Sequence, residues 1–403
     1  MTRAYIYMQS PGEAGLVTLG RLVVKEGVGE FVYSPDHVQR KGWVPDSIHY
    51  PLRPEPYAGI VSNNGLPGFI RDAAPDGWGE RVIAYGEASS LSGIDYLIRS
   101  SNVDRAGSLL IGTTRKPSVM GQPDRLDRLD SFIAFMDGIQ SGERLAPETA
   151  RAARQRSSLG GLRPKVTLLD EGRVIVAKPR DRHDKEDIPA IEHACMTFAA
   201  RKGLNVARTR LHAGKASVLL VDRFDRVATG EGGFLRLPML SAATLLDVDW
   251  RAVDEISRAR WRYAEMADEM RRKGVPVADL QELYKRMCYN ALIGNDDDHP
   301  KNHAVLFQRG QWRLSPLYDV VPALDGAPPP MLAMAVGQQG RVISRENLLS
   351  HAAHFGLSQE GAAVALDEVA GWESELKAHY RSVLLPPLAE RVIRSVDAGR
   401  LRV

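Results

Sequence analysis

A long amphipathic pattern between residues 277 and 293 constrains the fold of this chain most strongly. Its apolar residues recur every three or four positions, and Gly294 follows directly after the pattern. This spacing places the apolar side chains on one face of a helix, and a glycine in the next position is typical of a helix C-terminus. The face comprises Leu280, Leu283, Tyr284, Met287, Cys288, Ala291 and Leu292. The sequence therefore predicts a buried helix over 277–293, within a mainly helical C-terminal domain.

The N-terminal half shows strand patterns, with short runs rich in β-branched and aromatic residues. The clearest are residues 5–7, 20–24 and 30–33. Residues 115–125 contain two prolines and a glycine and look like a connection between subdomains. The chain is therefore expected to be α+β, with an α/β N-terminal half. Its predicted parts are a β-rich subdomain over 1–120, a second subdomain over 121–235 and the helical domain over 236–403.

A hairpin, a helix and a strand are predicted in the second subdomain and just before its end. The apolar runs 166–169 and 174–177 flank a polar turn that contains Gly172, which indicates a β-hairpin. A helix pattern opens at 187–189 and stops at Gly203. A further strand is expected over 216–221.

Composition and charge exclude several classes of protein. The 403 residues are 44% hydrophobic and 26% charged, with a formal net charge of +3. These values are ordinary for a folded chain and below the marked basicity of a dedicated nucleic-acid binder. An apolar leader or a stretch of ~20 apolar residues is absent from the sequence, so we expect no membrane partner. Cys195 and Cys288 lie in apolar helical patterns, which predicts reduced core thiols and a cytoplasmic protein.

Three consecutive carboxylates at 296–298 follow the predicted buried helix. Because adjacent carboxylates repel one another, such a run is best explained if it holds a cation or moves a proton. Asn302 follows Asp297 by five residues, and Asp319 lies beyond a predicted hairpin. Phosphoryl transfer needs an Asp that accepts the hydroxyl proton, an Asn close behind it and a second Asp that binds magnesium. The spacing predicts Asp297 as the base, with Asn302 and Asp319 as magnesium ligands.

Each of these residues also has a simpler interpretation. An acidic loop is often merely solvated, and the Asp in the run Tyr318-Asp319-Val320 is also typical of a cap or turn. His299 is predicted to orient the loop rather than to bind a metal, because no second histidine lies at a convincing ligand spacing. His303 fits either role. Only the combination of the three acids, the Asn and the returning Asp favours phosphoryl transfer.

The candidate nucleotide-binding residues lie in and before the predicted hairpin. Gly160 and Gly161 can form a flexible cover whose backbone N–H groups approach phosphate oxygens, although such a pair is also typical of an ordinary loop. Neither a GxGxxG nor a GxxxxGKS/T motif occurs. Lys178 shares a strand face with Val174 and Val176, which would suit a flat adenine and bring the ammonium to the phosphates. The alternative is a lysine that reaches from a strand end into water.

Two further contacts are predicted around this nucleotide site. Glu192, at the flank of the following helix, could pair with Lys178 and hold it in place. The backbone of Asp222 and Phe224, directly after a buried strand, could bond the adenine edge as a hinge. The charged side chains within 223–226 are equally consistent with a surface salt-bridge group, which would contribute little.

Four segments together resemble the HipA family of toxin kinases, which belongs to bacterial toxin–antitoxin systems. They are 157–165, 222–226, 294–302 and 316–319. The most specific element is the run Asp-Asp-His-Pro-Lys-Asn at 297–302. The run 67–77, which ends in Ala-Pro-Asp-Gly, is also similar to the N-terminal subdomain of the family. The resemblance extends from about residue 50 to 340.

This resemblance implies a two-lobed protein-kinase-like fold that binds ATP and Mg²⁺ between its lobes. By position, it assigns the base to Asp297, the magnesium ligands to Asn302 and Asp319, and the phosphate-binding lysine to Lys178. Lys301 would support the catalytic loop.

The resemblance also implies regulation by autophosphorylation. Ser158 falls where family members phosphorylate themselves, which ejects the glycine-rich loop and silences the enzyme, and Ser157 is a second possible acceptor. The loop departs from the family pattern at Arg163 and Pro164, and Asp222 stands where Glu is more usual.

The same resemblance implies partners. Family members are held by a small helix-turn-helix antitoxin that binds operator DNA, and a translation factor such as an aminoacyl-tRNA synthetase is the kind of protein substrate it suggests. A helix-turn-helix pattern is not evident in this sequence, so DNA contact is expected mainly through the antitoxin.

Three other functions remain open from the sequence. The chain could be a partner in a repressor complex with lost or reduced catalysis, although all the expected polar residues are present. It could be a metal-dependent phosphohydrolase in which residues 296–298 and Asp319 bind two metal ions. Lys178 and the loop that contains Gly160 and Gly161 would then have no role. It could also be a small-molecule kinase, since the same catalytic parts serve alcohols as well as protein serines.

Overall fold

Each of the two compact structural units is formed by two separate stretches of the chain. A computed structural model describes residues 2–13, 15–85, 87, 89–117, 121–142, 160–212, 214, 217–229, 233–324 and 326–403. One compact unit is formed by Met1–His183 with Leu220–Leu240, and the other by Asp184–Leu219 with Ser241–Val403. The three predicted domains, with borders at 120 and 235, stay a prediction.

The first unit begins with an antiparallel sheet of five strands. They are β1 (Thr2–Gln9), β2 (Leu16–Lys25), β3 (Val28–Tyr33), β4 (Tyr57–Ile60) and β5 (Leu109–Gly112), in the spatial order β4-β3-β2-β1-β5. Side chains alternate between the two faces of each strand, and Ile6, Leu22 and Phe31 on the covered face have no exposed surface. The strands predicted around 5–7, 20–24 and 30–33 are confirmed.

Short helices connect and cover these strands. They are α1 (Pro35–Gln39), α2 (Gly68–Arg71), α3 (Trp78–Ala84), α4 (Gly93–Arg99) and α5 (Leu129–Ser141), with 3-10 turns at Ser62–Asn64 and Leu126–Arg128. Ser92 and Asp95 form a reciprocal capping box at the start of α4, which satisfies backbone N–H groups that the helix itself leaves open.

A second group of strands carries the candidate nucleotide-binding residues. β6 (Asp124–Arg125) runs parallel to β7 (Val166–Asp170), which forms an antiparallel hairpin with β8 (Arg173–Pro179). The predicted hairpin is confirmed, and Glu171 and Gly172 in its turn both have positive φ, as a tight two-residue turn requires. The later strands are β9 (Thr209–His212), β10 (Val218–Asp222), β11 (Arg226–Ala228), β12 (Phe234–Arg236) and β13 (Met239–Ser241).

The second unit is mainly helical, as the sequence predicts. Its helices are α6 (Ile188–Arg201), α7 (Ala242–Leu245), α8 (Tyr263–Arg272), α9 (Val277–Ile293), α10 (Arg345–Leu349), α11 (Gln359–Gly371), α12 (Glu373–Val383), α13 (Pro386–Ile393) and α14 (Gly399–Arg402). Two 3-10 turns lie at Pro300–Asn302 and Ala352–Phe355, and β14 (Ala304–Gln308) pairs antiparallel with β15 (Gln311–Leu314).

Helix α9 is the buried helix that the sequence predicts, with the predicted bounds. Leu280, Leu283 and Leu292 have no exposed surface, and α8 and α11 pack against this helix. Gly294 ends it with φ of 72°. A Cβ at this position would lie 2.8 Å from Cδ of Pro329, so nothing larger than glycine fits. The loop that follows therefore starts from a fixed point.

The two cysteines are buried free thiols, as predicted. Burial raises the pKa of Cys195 to about 12 and that of Cys288 to about 12, so neither is a reactive thiolate at neutral pH. Within the described residues, no helix combines the length and apolarity needed to cross a bilayer.

Candidate active site

A buried carboxylate, Asp298, fixes the loop after α9. It is 2% exposed, and its Oδ2 accepts hydrogen bonds from Nδ2 of Asn290 at 2.7 Å and from the hydroxyl of Tyr263. Nε2 of His303 lies 2.9 Å from the same oxygen. These groups come from α8, α9 and the residue before β14, so Asp298 ties three elements together. It acts as an anchor of the loop, and His303 is part of that anchor.

Asp297, the predicted base, lies on the exposed side of this anchored loop. Neighbouring atoms nevertheless remove part of its hydration, and this desolvation is the main reason that the pKa of Asp297 is raised. The charges of His299 and Arg258 oppose the shift. The carboxylates of Asp319 and Asp296 add to it. Asp297 and Asp319, which are distant in sequence, are therefore close enough for one charge to affect the other.

Asn302 lies beside the predicted base. Its Nδ2 donates a hydrogen bond of 3.0 Å to the backbone carbonyl of Asp297, and the residue is 6% exposed. Because the amide nitrogen is used in this way, the amide oxygen is the atom left for a cation.

His299 begins the 3-10 turn that carries Asn302. Its Nδ1 accepts a hydrogen bond of 3.2 Å from the backbone N–H of Lys301, and its ring packs against Trp250 with centroids 5.2 Å apart. These are the contacts of a residue that orients the loop. The backbone carbonyl of Lys301 in turn accepts a hydrogen bond of 2.8 Å from the hydroxyl of Tyr318, which connects the loop to the segment of Asp319.

Asp319 is held in an unusual backbone conformation. Its φ is 60°, in the left-handed region that a residue with a side chain rarely adopts. The residues on both sides are fixed, because Leu317 forms a parallel bridge with Val206 and Val320, directly after Asp319, is 1% exposed. Such conformations persist where the surroundings enforce them, and they concentrate at functional sites.

The side-chain oxygens of Asn302 and Asp319, the predicted ligands, fit magnesium chemically. Magnesium prefers oxygen ligands and is usually bound through one or two carboxylates together with phosphate oxygens and water. Desolvation and the charge of Asp319 raise the pKa of Asp297. A cation bound nearby would lower that pKa again. Among the described residues there is no group of three or more His, Cys, Asp or Glu side chains that could bind a metal by themselves.

Lys178 lies on the partly open face of β8. Ile175 and Ala177 on the other face are 1% and 0% exposed, whereas Val176 and Lys178 are half-buried. The strand continues to Pro179, so Lys178 is not its last residue. Val174 on the same face is 4% exposed, so this face is covered at its start and more exposed toward Lys178.

The predicted contacts of the nucleotide site are only partly within one unit. Glu192 is buried on α6 in the second unit, and its pairing with Lys178 stays a prediction. Oδ2 of Asp222 lies 3.5 Å from Nη1 of Arg173. The hinge roles of Asp222 and Phe224 stay predictions.

The interpretation of Arg223, Asp225 and Arg226 as a surface salt-bridge group is wrong. Arg223 and Asp225 are 8% and 3% exposed, and Oδ2 of Asp225 lies 2.7 Å from Arg223 and 2.8 Å from Arg226. Although burial raises the pKa of Asp225, the two guanidinium groups outweigh burial and hold it well below its ordinary value. Their other donors bind backbone carbonyls of Asp104, Arg105 and Gly107. The network therefore fixes the chain after β10.

The two glycines of the predicted cover lie against the turn before α3. The backbone N–H of Gly161, predicted to face a phosphate, donates to Oδ1 of Asp76. The backbone N–H of Trp78 donates to the Gly161 carbonyl at 2.9 Å. Sequence reasoning missed Asp76, and its only signal there is the run Ala-Pro-Asp-Gly at 74–77. The predicted phosphosites, Ser157 and Ser158, lie outside the described residues.

Two protein-family models match separate parts of this chain. The model of the HipA-like C-terminal domain matches residues 157–375, and that of the HipA N-terminal domain matches residues 15–107. The protein Y4mE of Sinorhizobium fredii, whose name describes it as a kinase, is 24% identical over 332 residues, which are 77% of this chain and 76% of Y4mE. The serine/threonine-protein kinase toxin HipA of Shewanella oneidensis is 24% identical over 306 residues, which are 68% of this chain and 66% of that protein.

A solved structure shows the same fold. It is the complex of HipA, HipB and operator DNA from the toxin–antitoxin system of Shewanella oneidensis MR-1. One of its chains matches with a TM-score of 0.71 and 19% identity, and the match covers 96% of this chain and 94% of that one. The predicted α+β fold is thereby confirmed.

Proposed function

The chain belongs to the HipA family of protein kinases, and from this membership we propose that it is an ATP- and Mg²⁺-dependent serine/threonine protein kinase that acts as the toxin of a toxin–antitoxin pair. One observation carries the proposal. Asp319 raises the pKa of Asp297, while Asn302 is hydrogen-bonded to the backbone of Asp297. Two acids and an amide in this arrangement are what phosphoryl transfer requires.

The roles of the three residues follow from their surroundings. Asp297 accepts the proton of the substrate hydroxyl, and its raised pKa makes it a better proton acceptor than an ordinary Asp. Asn302 and Asp319 hold magnesium through their side-chain oxygens. When bound, magnesium–ATP supplies the phosphoryl group and the counter-charge for its oxygens.

Apart from Glu192, the proposed nucleotide contacts come from residues of the first unit. Lys178 meets the α- and β-phosphates, with Glu192 as its partner, and the half-buried face of β8 receives the adenine. The loop that contains Gly160 and Gly161 covers the phosphates, and the backbone of Asp222 and Phe224 bonds the adenine edge.

Regulation follows the family pattern in this proposal. Phosphorylation of Ser158, or of Ser157 beside it, silences the enzyme, and a small helix-turn-helix antitoxin holds the toxin and contacts DNA. A solved relative forms a complex with HipB and operator DNA, which supports such a partner. The protein substrate is a translation factor of the aminoacyl-tRNA synthetase kind, and the buried free thiols support a cytoplasmic location.

The anchoring role of Asp298 weighs against the two-metal phosphohydrolase. That mechanism needs several free carboxylates on the loop, whereas Asp298 already binds Tyr263, Asn290 and His303. No comparable observation favours a small-molecule kinase or an inactive partner.

One assay tests the proposed function. Purified protein is incubated with ATP labelled in the γ-phosphate and with Mg²⁺, and the label is mapped on the chain by peptide mass spectrometry. We expect label on Ser157 or Ser158 that requires Mg²⁺ and is lost in Asp297→Asn. Release of free phosphate without protein labelling would favour the hydrolase, and absence of ATP binding would favour the inactive partner.

A further inference from the structure

A turn in the N-terminal part of the first unit, Asp76-Gly77-Trp78, holds the peptide group of Gly161 at both ends. The Gly161 N–H donates to Oδ1 of Asp76, and the Gly161 carbonyl accepts from the N–H of Trp78 at 2.9 Å. Asp76 is 0% exposed and Trp78 is 3% exposed. The hydrogen bond from Gly161 to Asp76 is part-buried, which makes it stronger than a contact in full water.

The fit between the two segments excludes larger residues. A Cβ on Gly77 would lie 2.6 Å from the carbonyl oxygen of Gly161 and 2.9 Å from Cα of Leu162. Because both are backbone atoms, they cannot move aside without displacing the loop. Gly77 also has φ of 47° and ψ of −105°, a combination that side-chain-bearing residues avoid. A Cβ on Gly160 would lie 2.9 Å from both carboxylate oxygens of Asp76.

The turn is braced from within the N-terminal part of the unit. Nη1 of Arg71 donates to the carbonyl of Pro75 at 2.5 Å, and Nη2 donates to Glu80 at 3.4 Å. The N–H of Gly79 donates to the backbone carbonyl of Asp76 at 2.9 Å. Arg71 is 6% exposed, so the brace is also buried. Gly161 is thus attached to a rigid element.

Stability alone does not explain the buried carboxylate. Oδ2 of Asp76 has no hydrogen-bond partner among the described residues. A buried polar atom that lacks a partner is unfavourable for folding, and such atoms call for a functional reason. The attachment of Gly161 provides that reason, because it uses the other oxygen of the same carboxylate.

We propose that Asp76 and Gly77 are positioning residues of the nucleotide site, which anchor the glycine loop at Gly161 and leave Gly160 to face the phosphates. This inference rests on the proposed function. A loop that is already ordered in the nucleotide-free protein loses less conformational freedom when the nucleotide binds. The anchor therefore lowers the KM for ATP, and it acts on the loop rather than on the reacting atoms.

The experiment measures two properties of the full chain with Asp76→Ala, Asp76→Asn, Gly77→Ala and two controls. The first property is the rate of amide hydrogen exchange at Gly161 without nucleotide. The second is the steady-state kinetics of phosphate transfer, given as the KM for ATP and kcat. For Asp76→Ala we expect exchange and KM each to rise about tenfold, with kcat changed by less than about threefold. Asp76→Asn should restore both values, because the amide oxygen can still accept the Gly161 N–H.

The controls separate the anchor from general destabilisation. Asp46 is also buried and accepts hydrogen bonds from the backbone N–H groups of Ile48 and His49, so Asp46→Ala removes a comparable carboxylate away from the loop. Gly172 also has positive φ, 74°, but a Cβ there would meet nothing within 4 Å. If Asp76→Ala does not fold, the comparison of Gly77→Ala with Gly172→Ala carries the test.

Two outcomes would overturn the anchor. The first is that Asp76→Ala leaves both the amide exchange of Gly161 and the KM for ATP unchanged. The second is that Gly77→Ala and Gly172→Ala have the same exchange rate at Gly161 and the same KM for ATP. A wild-type protein that transfers no phosphate would instead refute the proposed function, because the exchange of Gly161 does not depend on activity.

Discussion

The side-chain amide of Asn302 donates a hydrogen bond of 3.0 Å to the backbone carbonyl of Asp297. The five-residue spacing in the sequence thus corresponds to a closed turn in which the base and the amide are neighbours. Asp298, which is 2% exposed, holds this turn in place through its buried side chain. The pair that we assign to proton transfer and metal binding is therefore preorganised before nucleotide binds.

Asn302→Ala is expected to increase the Mg²⁺ concentration for half-maximal phosphate transfer by about ten- to a hundredfold, because it removes both a ligand and its orienting hydrogen bond. The measurement is a magnesium titration of transfer at saturating ATP. Gln311→Ala, on the exposed start of β15, is the control and should leave the titration unchanged. An unaltered magnesium requirement in Asn302→Ala would remove Asn302 from the metal site.

Asp297→Asn is expected to raise the melting temperature of the protein at neutral pH when nucleotide and magnesium are absent. Desolvation and the charges of Asp319 and Asp296 raise the pKa of Asp297 above 3.8, so the carboxylate is less stable in the folded chain than in the unfolded chain. The gain in melting temperature from Asp297→Asn is therefore complete above the raised pKa, and it disappears as the pH falls toward 3.8.

Thermal melts across this pH range test the prediction. Asp127→Asn is the control, since the side chain of Asp127 is 69% exposed, and it should not change the melting temperature. A lower melting temperature for Asp297→Asn at neutral pH would show that the charged carboxylate of Asp297 does not destabilise the folded protein.

Local patterns explain which parts of this molecule could be predicted from the sequence. Helix α9 keeps an apolar face and ends in a glycine, and the hairpin of β7 and β8 has a turn with Gly172. Both features are set by neighbouring residues, so their bounds can be read directly. The same holds for the spacing of Asp297 and Asn302, which a single turn of chain connects.

Contacts between distant segments explain what could not be predicted. Asp298 looks like its two acidic neighbours in the sequence, and only the packing of Tyr263 and His303 around it makes it an anchor. Arg223 reads as a surface charge because its acceptors lie in another segment, at Asp104 and Arg105. No local sequence pattern contains information of this kind, since Arg223 and Asp104 are 119 residues apart and Tyr263 and Asp298 are 35 residues apart.

Asp298→Ala is expected to reduce the free energy of unfolding by about 3–5 kcal/mol, because it leaves three buried groups without their acceptor. Urea denaturation measures this change. Asp296→Asn, at the exposed neighbouring position, is the matched control and should stay within about 0.5 kcal/mol of wild type. Equal effects of the two substitutions would contradict the anchoring role of Asp298.

Asp225→Asn is expected to destabilise the first unit in a pH-dependent manner. Arg223 and Arg226 outweigh burial and hold the pKa of Asp225 below its ordinary value of 3.8. A depressed pKa means that the stabilisation is present above 3.8 and is lost as the pH falls through the folded-state value. At neutral pH the variant should lose about 3–5 kcal/mol of unfolding free energy.

Urea denaturation at two pH values tests this prediction. The difference between Asp225→Asn and wild type should narrow below pH ~4, whereas Glu171→Gln in the exposed hairpin turn should match wild type at both. A difference that is independent of pH would mean that the charge of Asp225 is not the stabilising feature.

The most direct test of the account compares transfer with binding in one variant. Single-turnover transfer of the γ-phosphate and calorimetric binding of ATP with Mg²⁺ are measured for wild type and Asp297→Asn. We predict that the variant loses transfer by about a hundredfold or more, as expected for removal of a general base, while its affinity for ATP stays within about threefold. Transfer at the wild-type rate by Asp297→Asn would contradict the assignment of the base and the site built around it.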